Sequence, residues 1–270
     1  MSIPLNTREQ RLDLKRERPI TGVISSAKLQ LVEVFDSLQG EGPDIGIPAR
    51  FVRLAHCNRR CVWCDTDYAV RFELGVDEFV ELMARDYADA TSSELAYVIF
   101  TGGEPTLQAR HLNMAITHLE SKLPINWHWA CESNGTLLAL PDVLEFYRRM
   151  QRIVISPKPP SSENVPFDWP QFWQRFPAEL HQQLVIKPVI MDDADMEWFR
   201  AAAEAPERPL VVPFIMQTYV DPDPSSDALA DFRGYWRRTL TPEFIRWMRS
   251  RNVRLLPRLH NLIWGNQQGY

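Results

Sequence analysis

The chain has 270 residues and a formal net charge of −5, with 45% hydrophobic and 24% charged residues. That length holds one large α/β domain or two small ones, and the acidic balance excludes nucleic acid as a primary, electrostatically held partner. No apolar run approaches the roughly 18 residues needed to span a bilayer, Met1–Pro19 has no signal-peptide core, and the cysteines do not form a secreted disulfide framework. A reducing cytoplasm with no membrane partner is the expected setting.

Residues 1–27 are charged, mixed in sign and without apolar periodicity, which predicts an irregular extension; its basic run Arg16–Arg18 reads as a solvated face. From Leu29 a pattern begins. LQLVEVF (Leu29–Phe35) and ARFVRLA (Ala49–Ala55) read as strands separated by a turn-rich stretch. Gly75–Ala88 has helical apolar spacing, with Asp77 as its expected cap. Ala96–Phe100 is a short strand running into TGGEP, and helical spacing returns over Leu107–Leu123. Asn126–Cys131 alternates as a strand ending in ESNGT. Pro141–Met150 reads as a helix opened by proline, and Arg152–Ser156 as a strand ending in PKPP.

Ser161–Leu180, rich in Pro, Trp and Phe, reads as an irregular insertion. QLVIKPVI, the helical DADMEWFRAAAE and the strand-like Pro209–Met216 resume the alternation. A helix at Pro242–Ser250 and a strand at Asn252–Pro257 close it. Strand and helix alternate about six times, which predicts an α/β fold whose parallel sheet is a full or partial (βα) barrel. Ligands gather at the C-terminal ends of such strands. SLQGEG, the cysteine loop, TGGEP, ESNGT, SPKPP, QTYVDP and PRLH are all expected there, on one rim.

The chemistry is most concentrated in AHCNRRCVWCDTDYA (Ala55–Ala69). Three of the four cysteines, Cys57, Cys61 and Cys64, stand in the spacing C-x3-C-x2-C, with Trp63 before the last. Thiolates so close repel unless a cation holds them, and soft sulfur selects zinc, copper(I) or iron–sulfur clusters. Structural zinc wants a fourth ligand, which Cys131 or His56 would have to supply. A [4Fe–4S] cluster held by three thiolates keeps one iron open for chemistry.

This spacing, with the aromatic before the last cysteine, resembles the radical S-adenosylmethionine (SAM) enzymes, and TGGEP after a strand supports the likeness. The resemblance implies a partial (βα)6-type TIM barrel over residues 28–270, a [4Fe–4S] cluster on Cys57, Cys61 and Cys64, and SAM on the open iron. There SAM is cleaved reductively to a 5′-deoxyadenosyl radical. More specifically, the segments from FDSLQGEG through CDTDYA, with FTGGEPTLQ, ESNGT, ISPK and LHNLIWG, resemble the 7-carboxy-7-deazaguanine synthase family from about Leu31 to Gly265.

That family implies ring contraction of 6-carboxy-5,6,7,8-tetrahydropterin to 7-carboxy-7-deazaguanine with loss of ammonia. Mg2+ assists, an electron donor is needed, and the enzyme is a homodimer. Carried over by position, Leu38, Gln39, Gly40, Arg53, Thr101 and His260 would contact the carboxypterin. Gly103, Glu104, Glu132, Ser133, Asn134, Ser156, Pro157, Lys158, Gln217, Thr218, Tyr219 and Val220 would contact SAM, and Thr66 would ligate Mg2+. Thr218 stands where the family commonly has proline. His260 would orient substrate or tie down the terminus. Cys131 is expected to be a buried, inert thiol, and His56, His111, His118, His128 and His181 to be structural or surface residues. The alternatives are another radical SAM enzyme, such as a glycyl-radical activase, and a non-catalytic zinc- or cluster-binding module.

Overall fold

A computed structural model of the chain describes residues 27–64, 66–91, 93–218 and 228–264. The expected extension lies, but for Ala27, outside the described residues. Its strands are β1 (Leu29–Leu38), β2 (Pro48–Leu54), β3 (Phe72–Leu74), β4 (Leu95–Gly102), β5 (Asn126–Ser133), β6 (Arg152–Ile155), β7 (Leu184–Ile186), β8 (Val189–Ile190), β9 (Phe214–Thr218) and β10 (Val253–Leu255). The helices are α1 (Val76–Asp86), α2 (Ala109–Lys122), α3 (Pro141–Arg149), α4 (Trp169–Arg175), α5 (Asp193–Glu204), α6 (Ala228–Thr239), α7 (Pro242–Ser250) and α8 (Leu259–Trp264).

The sheet runs in the order β10-β9-β7-β6-β5-β4-β2-β1-β3, with β8 paired to β9. From β2 to β10 every pairing is parallel. Ala96–Phe100 of β4 are all buried, as expected for a strand covered on both faces, and its sequence accordingly lacks alternation. Helices α1, α2 and α3 pack side by side outside it, burying Phe79, Leu112, Ile116 and Phe146 against the strands in one continuous core.

Two expectations about direction and position are corrected. β1 pairs antiparallel with β2, from Leu31 opposite Leu54 to Leu38 opposite Pro48. Residues 39–47 are too few for a parallel crossover, which takes about a dozen or more. SLQGEG therefore leaves its strand beside the start of β2 and not at the C-terminal end of a parallel strand, yet Gln39, Gly40 and Glu41 still line one cavity with the other polar segments. Helix α1 is capped by Glu78, whose carboxylate accepts from Gly75 N at 2.7 Å, and not by Asp77, which faces His118 across 3.3 Å.

Ser161–Leu180 is likewise not irregular throughout. Asp168 caps α4 by accepting from Gln171 N at 2.9 Å, and Trp169, Phe172, Trp173 and Phe176 are buried in the main core. Their i, i+3, i+4, i+7 spacing is a helical face; Pro166, Pro170 and Pro177 punctuate it and obscured the period in the sequence. The Pro209–Met216 strand begins only at Phe214, while β3, α6 and α8 carried no clear signal.

Candidate active site

One cavity of about 430 Å3 opens on the inner face of the sheet. Phe35 of β1, Arg53 of β2, Thr101 of β4, Glu132 of β5 and Gln217 of β9 all line it. Side chains from one end of the sheet to the other can share a cavity only if the sheet curls, and the curl makes the partial barrel.

Its first wall is the cysteine loop. Cys57, Cys61 and Cys64 line the cavity together. Arg59 N donates to Cys57 Sγ at 3.4 Å, Asn164 Nδ2 to Cys61 Sγ at 3.3 Å, and Cys64 Sγ to Thr66 O at 3.8 Å. Burial, then the Glu104 carboxylate, pushes the Cys57 thiol up to about 12. Burial, then the three sulfurs, pushes the Tyr68 hydroxyl well above its ordinary value, so all three sulfurs lie in electrostatic reach of one ring. Among the described residues no group of three or more His, Cys, Asp or Glu has the spacing of a single metal ion.

The loop is held by the strand ends beside it. Gly103 N donates to Leu54 O at 3.0 Å and Glu104 N to His56 O at 2.8 Å. A Cβ on Gly103 would stand 1.7 Å from His56 O, and one on Gly102, at φ +120°, 2.2 Å from Leu54 O. The two glycines thus let TGGEP press against the chain's own backbone at the start of the cysteine loop. Gly103 lines the cavity, whereas Glu104 does not. Wholly buried, Glu104 accepts from Thr106 N (3.1 Å), Thr106 Oγ1 (2.5 Å), Ser133 Oγ (2.8 Å) and Asn134 N (2.6 Å). Burial raises its pKa against these donors. Its visible work is to tie TGGEP to ESNGT. Asn134 Nδ2 then reaches Asn58 Oδ1 at 2.7 Å and Asn58 Nδ2 reaches Thr136 Oγ1 at 2.8 Å, binding the cysteine loop to the end of β5.

The second wall is charged. Glu132 accepts from Thr101 Oγ1 at 2.9 Å, Lys187 Nζ at 3.2 Å and Gln39 Nε2 at 3.4 Å. Lys187, 4% exposed, also pairs with Glu41, and Glu41 Oε1 meets Arg258 Nε at 3.0 Å and His260 Nε2 at 4.0 Å. Burial alone would raise the Glu41 pKa, yet Lys187, Arg258 and His260 hold it far below the usual carboxylate range. Burial opposes the Lys187 charge, but Glu132 and Glu41 raise its pKa overall. Leu259 N donates to Gly40 O at 2.8 Å, and a Cβ on Gly40 would meet His260 Nδ1 at 2.1 Å. The glycine of LQG is therefore the seat of the C-terminal LHNLIW segment.

Of the residues singled out from the sequence, Leu38, Gln39, Gly40, Arg53, Thr66, Thr101, Ser133, Asn134, Ser156, Lys158 and His260 also line this cavity. Arg53 donates from Nε to Glu33 Oε1 at 2.7 Å, and Lys158 Nζ lies 3.2 Å from Ser156 Oγ. Pro157 is buried and off the lining. Thr218 ends β9, while Tyr219 and Val220 lie outside the described residues. Lys187, Glu41, Arg258 and Asn164 were not singled out; a lysine inside the apolar run LVIKPVI was the one visible hint.

The donor set fits an iron–sulfur cluster with a ligand beside it. Three soft sulfurs line one wall, with Cys57 and Cys61 buried and Cys64 partly exposed, and their protons are displaced when a cation binds. Gln217 is wholly buried, lines the same cavity, and has neither its amide nitrogen nor its oxygen hydrogen-bonded. A buried amide so placed waits for a ligand's polar atoms.

A partial barrel with this loop at its first parallel strand defines a radical SAM enzyme, and residues 52–171 match the model of the radical SAM superfamily. The crystal structure of QueE from Escherichia coli has the same fold, with a TM-score of 0.51 over 86% of this chain and 95% of that one at 18% identity. The 7-carboxy-7-deazaguanine synthase of Hyperthermus butylicus is 44% identical over 48% of this chain and 52% of its own length. That of Pyrobaculum aerophilum is 31% identical over 91% of this chain and 99% of its own length. The chain belongs to the 7-carboxy-7-deazaguanine synthase family. This membership replaces the activase and the non-catalytic metal module as readings of the sequence.

Proposed function

We propose that the chain converts 6-carboxy-5,6,7,8-tetrahydropterin to 7-carboxy-7-deazaguanine with release of ammonia, on the way to queuosine and related 7-deazapurines. One observation carries the reading: the cavity of a chain aligned with 99% of a synthase relative gathers the cysteine triplet, LQG, Arg53, Thr101, ESN and His260. Cys57, Cys61 and Cys64 would hold the [4Fe–4S] cluster. Gly103, Ser133, Asn134, Ser156, Lys158 and Gln217 would hold SAM beside it. When bound, cluster and SAM together supply radical initiation, the step that no side chain can perform.

The chain's own contribution is to bind, orient and exclude water. Arg53 offers a guanidinium suited to a carboxylate, once its bond to Glu33 is shared or exchanged. Glu132 and Glu41 offer fixed acceptors to the N–H edge of a pterin, and Gln39 both donates and accepts. Lys187 and Arg258 keep Glu41 ionised, so it accepts and does not donate. Thr66, beside Cys64 on the lining, offers a hard oxygen to Mg2+, with water and substrate oxygens completing an octahedron.

A low-potential one-electron donor, a homodimeric assembly and a cytoplasmic location complete the proposal. The last rests on the cysteine usage, three of four in one short loop that does not read as a disulfide framework. The test is an anaerobic reaction of reconstituted protein with reductant, SAM, Mg2+ and the carboxypterin, followed by mass spectrometry. Formation of 7-carboxy-7-deazaguanine is expected; reconstituted protein that leaves the pterin intact would sink the proposal. Light scattering tests the dimer.

A further inference from the structure

Residues 161–165 lie over the cysteine loop and are bound to it along their length. Trp63 Nε1 donates to Ser161 Oγ at 3.0 Å, Val62 N to Ser162 O at 3.3 Å, and Arg60 N to Asn164 Oδ1 at 3.0 Å. The segment is itself anchored by Asp195, wholly buried in the first turn of α5, whose carboxylate accepts from Ser161 N at 2.9 Å and Ser161 Oγ at 2.6 Å. Asn164 Nδ2, 3.3 Å from Cys61 Sγ, is also 3.2 Å from Ser162 O.

The Asn164 amide can be oriented in one way only. Arg60 N is a donor, so the atom facing it must be the oxygen, and the nitrogen then faces the sulfur. A flipped amide would set two donors against each other and leave oxygen against Cys61. An Asn amide does not titrate, so this donor persists at every working pH.

We propose that Asn164 is a positioning and tuning residue for the cluster: its Nδ2–H···Sγ bond to Cys61 raises the cluster's reduction potential. This rests on the cluster reading given above. Taking one electron from a low-potential donor increases the negative charge on the cluster and its sulfurs; no bond breaks and no proton moves. A hydrogen bond to a ligating sulfur stabilises the reduced form more than the oxidised one, which shifts the potential upward. The donor is a side chain fixed by the 161–165 segment, so that segment bears on how readily an external reductant charges the active site.

The experiment compares anaerobically reconstituted wild-type, N164D and N164L proteins, with iron and sulfide quantified. Each is titrated with dithionite under EPR, and the reduced clusters are examined by deuterium ENDOR after exchange into D2O. N164D keeps the acceptor for Arg60 N and loses the donor; N164L loses both. In both variants the midpoint is expected to move to more negative potential, with one exchangeable-deuteron coupling of the wild type missing. A wild-type midpoint in N164L overturns the proposal, as does a shifted N164D that retains the full set of couplings, since charge alone would then explain it. Loss of cluster loading in both variants alone would assign Asn164 to loop structure and likewise overturn it. If N164L alone fails to load, N164D decides. A wild-type protein that assembles no cluster would overturn the cluster reading itself.

Discussion

The two walls of the cavity are built on opposite principles. The sulfur wall comes from one loop, Cys57–Cys64, held by neutral hydrogen bonds from strand ends beside it: Asn58 to Thr136, Asn134 to Asn58, and Glu104 N to His56 O. The charged wall comes from segments far apart in the chain. Glu41, Glu132, Lys187, Arg258 and His260 meet only because β1, β5, β7 and the C-terminal segment converge. The first wall's donor atoms are thus set locally, whereas the second depends on every strand reaching its place. A local wall should fail by losing its cargo, and an assembled wall by losing its fold.

The largest test of that contrast is Cys61→Ala. Removing one thiolate should bring turnover to background and lower the iron bound after reconstitution, while circular dichroism and the unfolding midpoint stay near wild type. Lys187→Met addresses the other wall. It leaves Glu41 and Glu132 partly buried with their shared, buried partner gone, a change that costs about 3 kcal/mol, read by urea denaturation. If K187M proves as stable as wild type, the charged wall is not load-sharing in the way described.

The same wall should respond to acid. Glu41 is held ionised below the ordinary carboxylate range, so its contribution is complete above that range and is lost as pH falls toward its lowered folded value. Lys187, raised in the fold, contributes fully below the ordinary lysine range and loses that contribution only as alkali passes its folded value. E41Q should flatten the acid limb of a stability–pH profile; an unchanged limb would assign acid sensitivity elsewhere.

Smaller effects separate the two glycines. Gly103→Ala drives a methyl into the His56 carbonyl, where backbone must move, and overpacking of that kind costs about 3 kcal/mol; thermal unfolding should show it. Gly40→Ala meets the His260 side chain first, and a side chain can swing away where backbone cannot. About 1 kcal/mol is expected, with a raised KM for the pterin as the more visible consequence.

Much of the site was legible because its chemistry is written in contiguous residues. C-x3-C-x2-C, TGGEP, ESNGT and SPK each sit at or just past the C-terminal end of a parallel strand, and the alternation of strands and helices brings such ends together. The direction of β1 was not read, although residues 39–47 carried it in their shortness. Helix α4 was missed although Trp169, Phe172, Trp173 and Phe176 carried its period. Lys187 was missed because a lysine in a buried strand has meaning only when its carboxylate partners are known.

The sequence by itself determined the soft-ligand loop, the turns that present it and most of the repeating βα order, since these depend on neighbours a few positions away. The tertiary structure alone decided which carboxylates would be neutralised, why Gly40 must lack a side chain, and that Asn164 would point at a sulfur. Those are contacts between residues 55 or more positions apart. Their partners are chosen by the curl of the sheet, which no local pattern encodes.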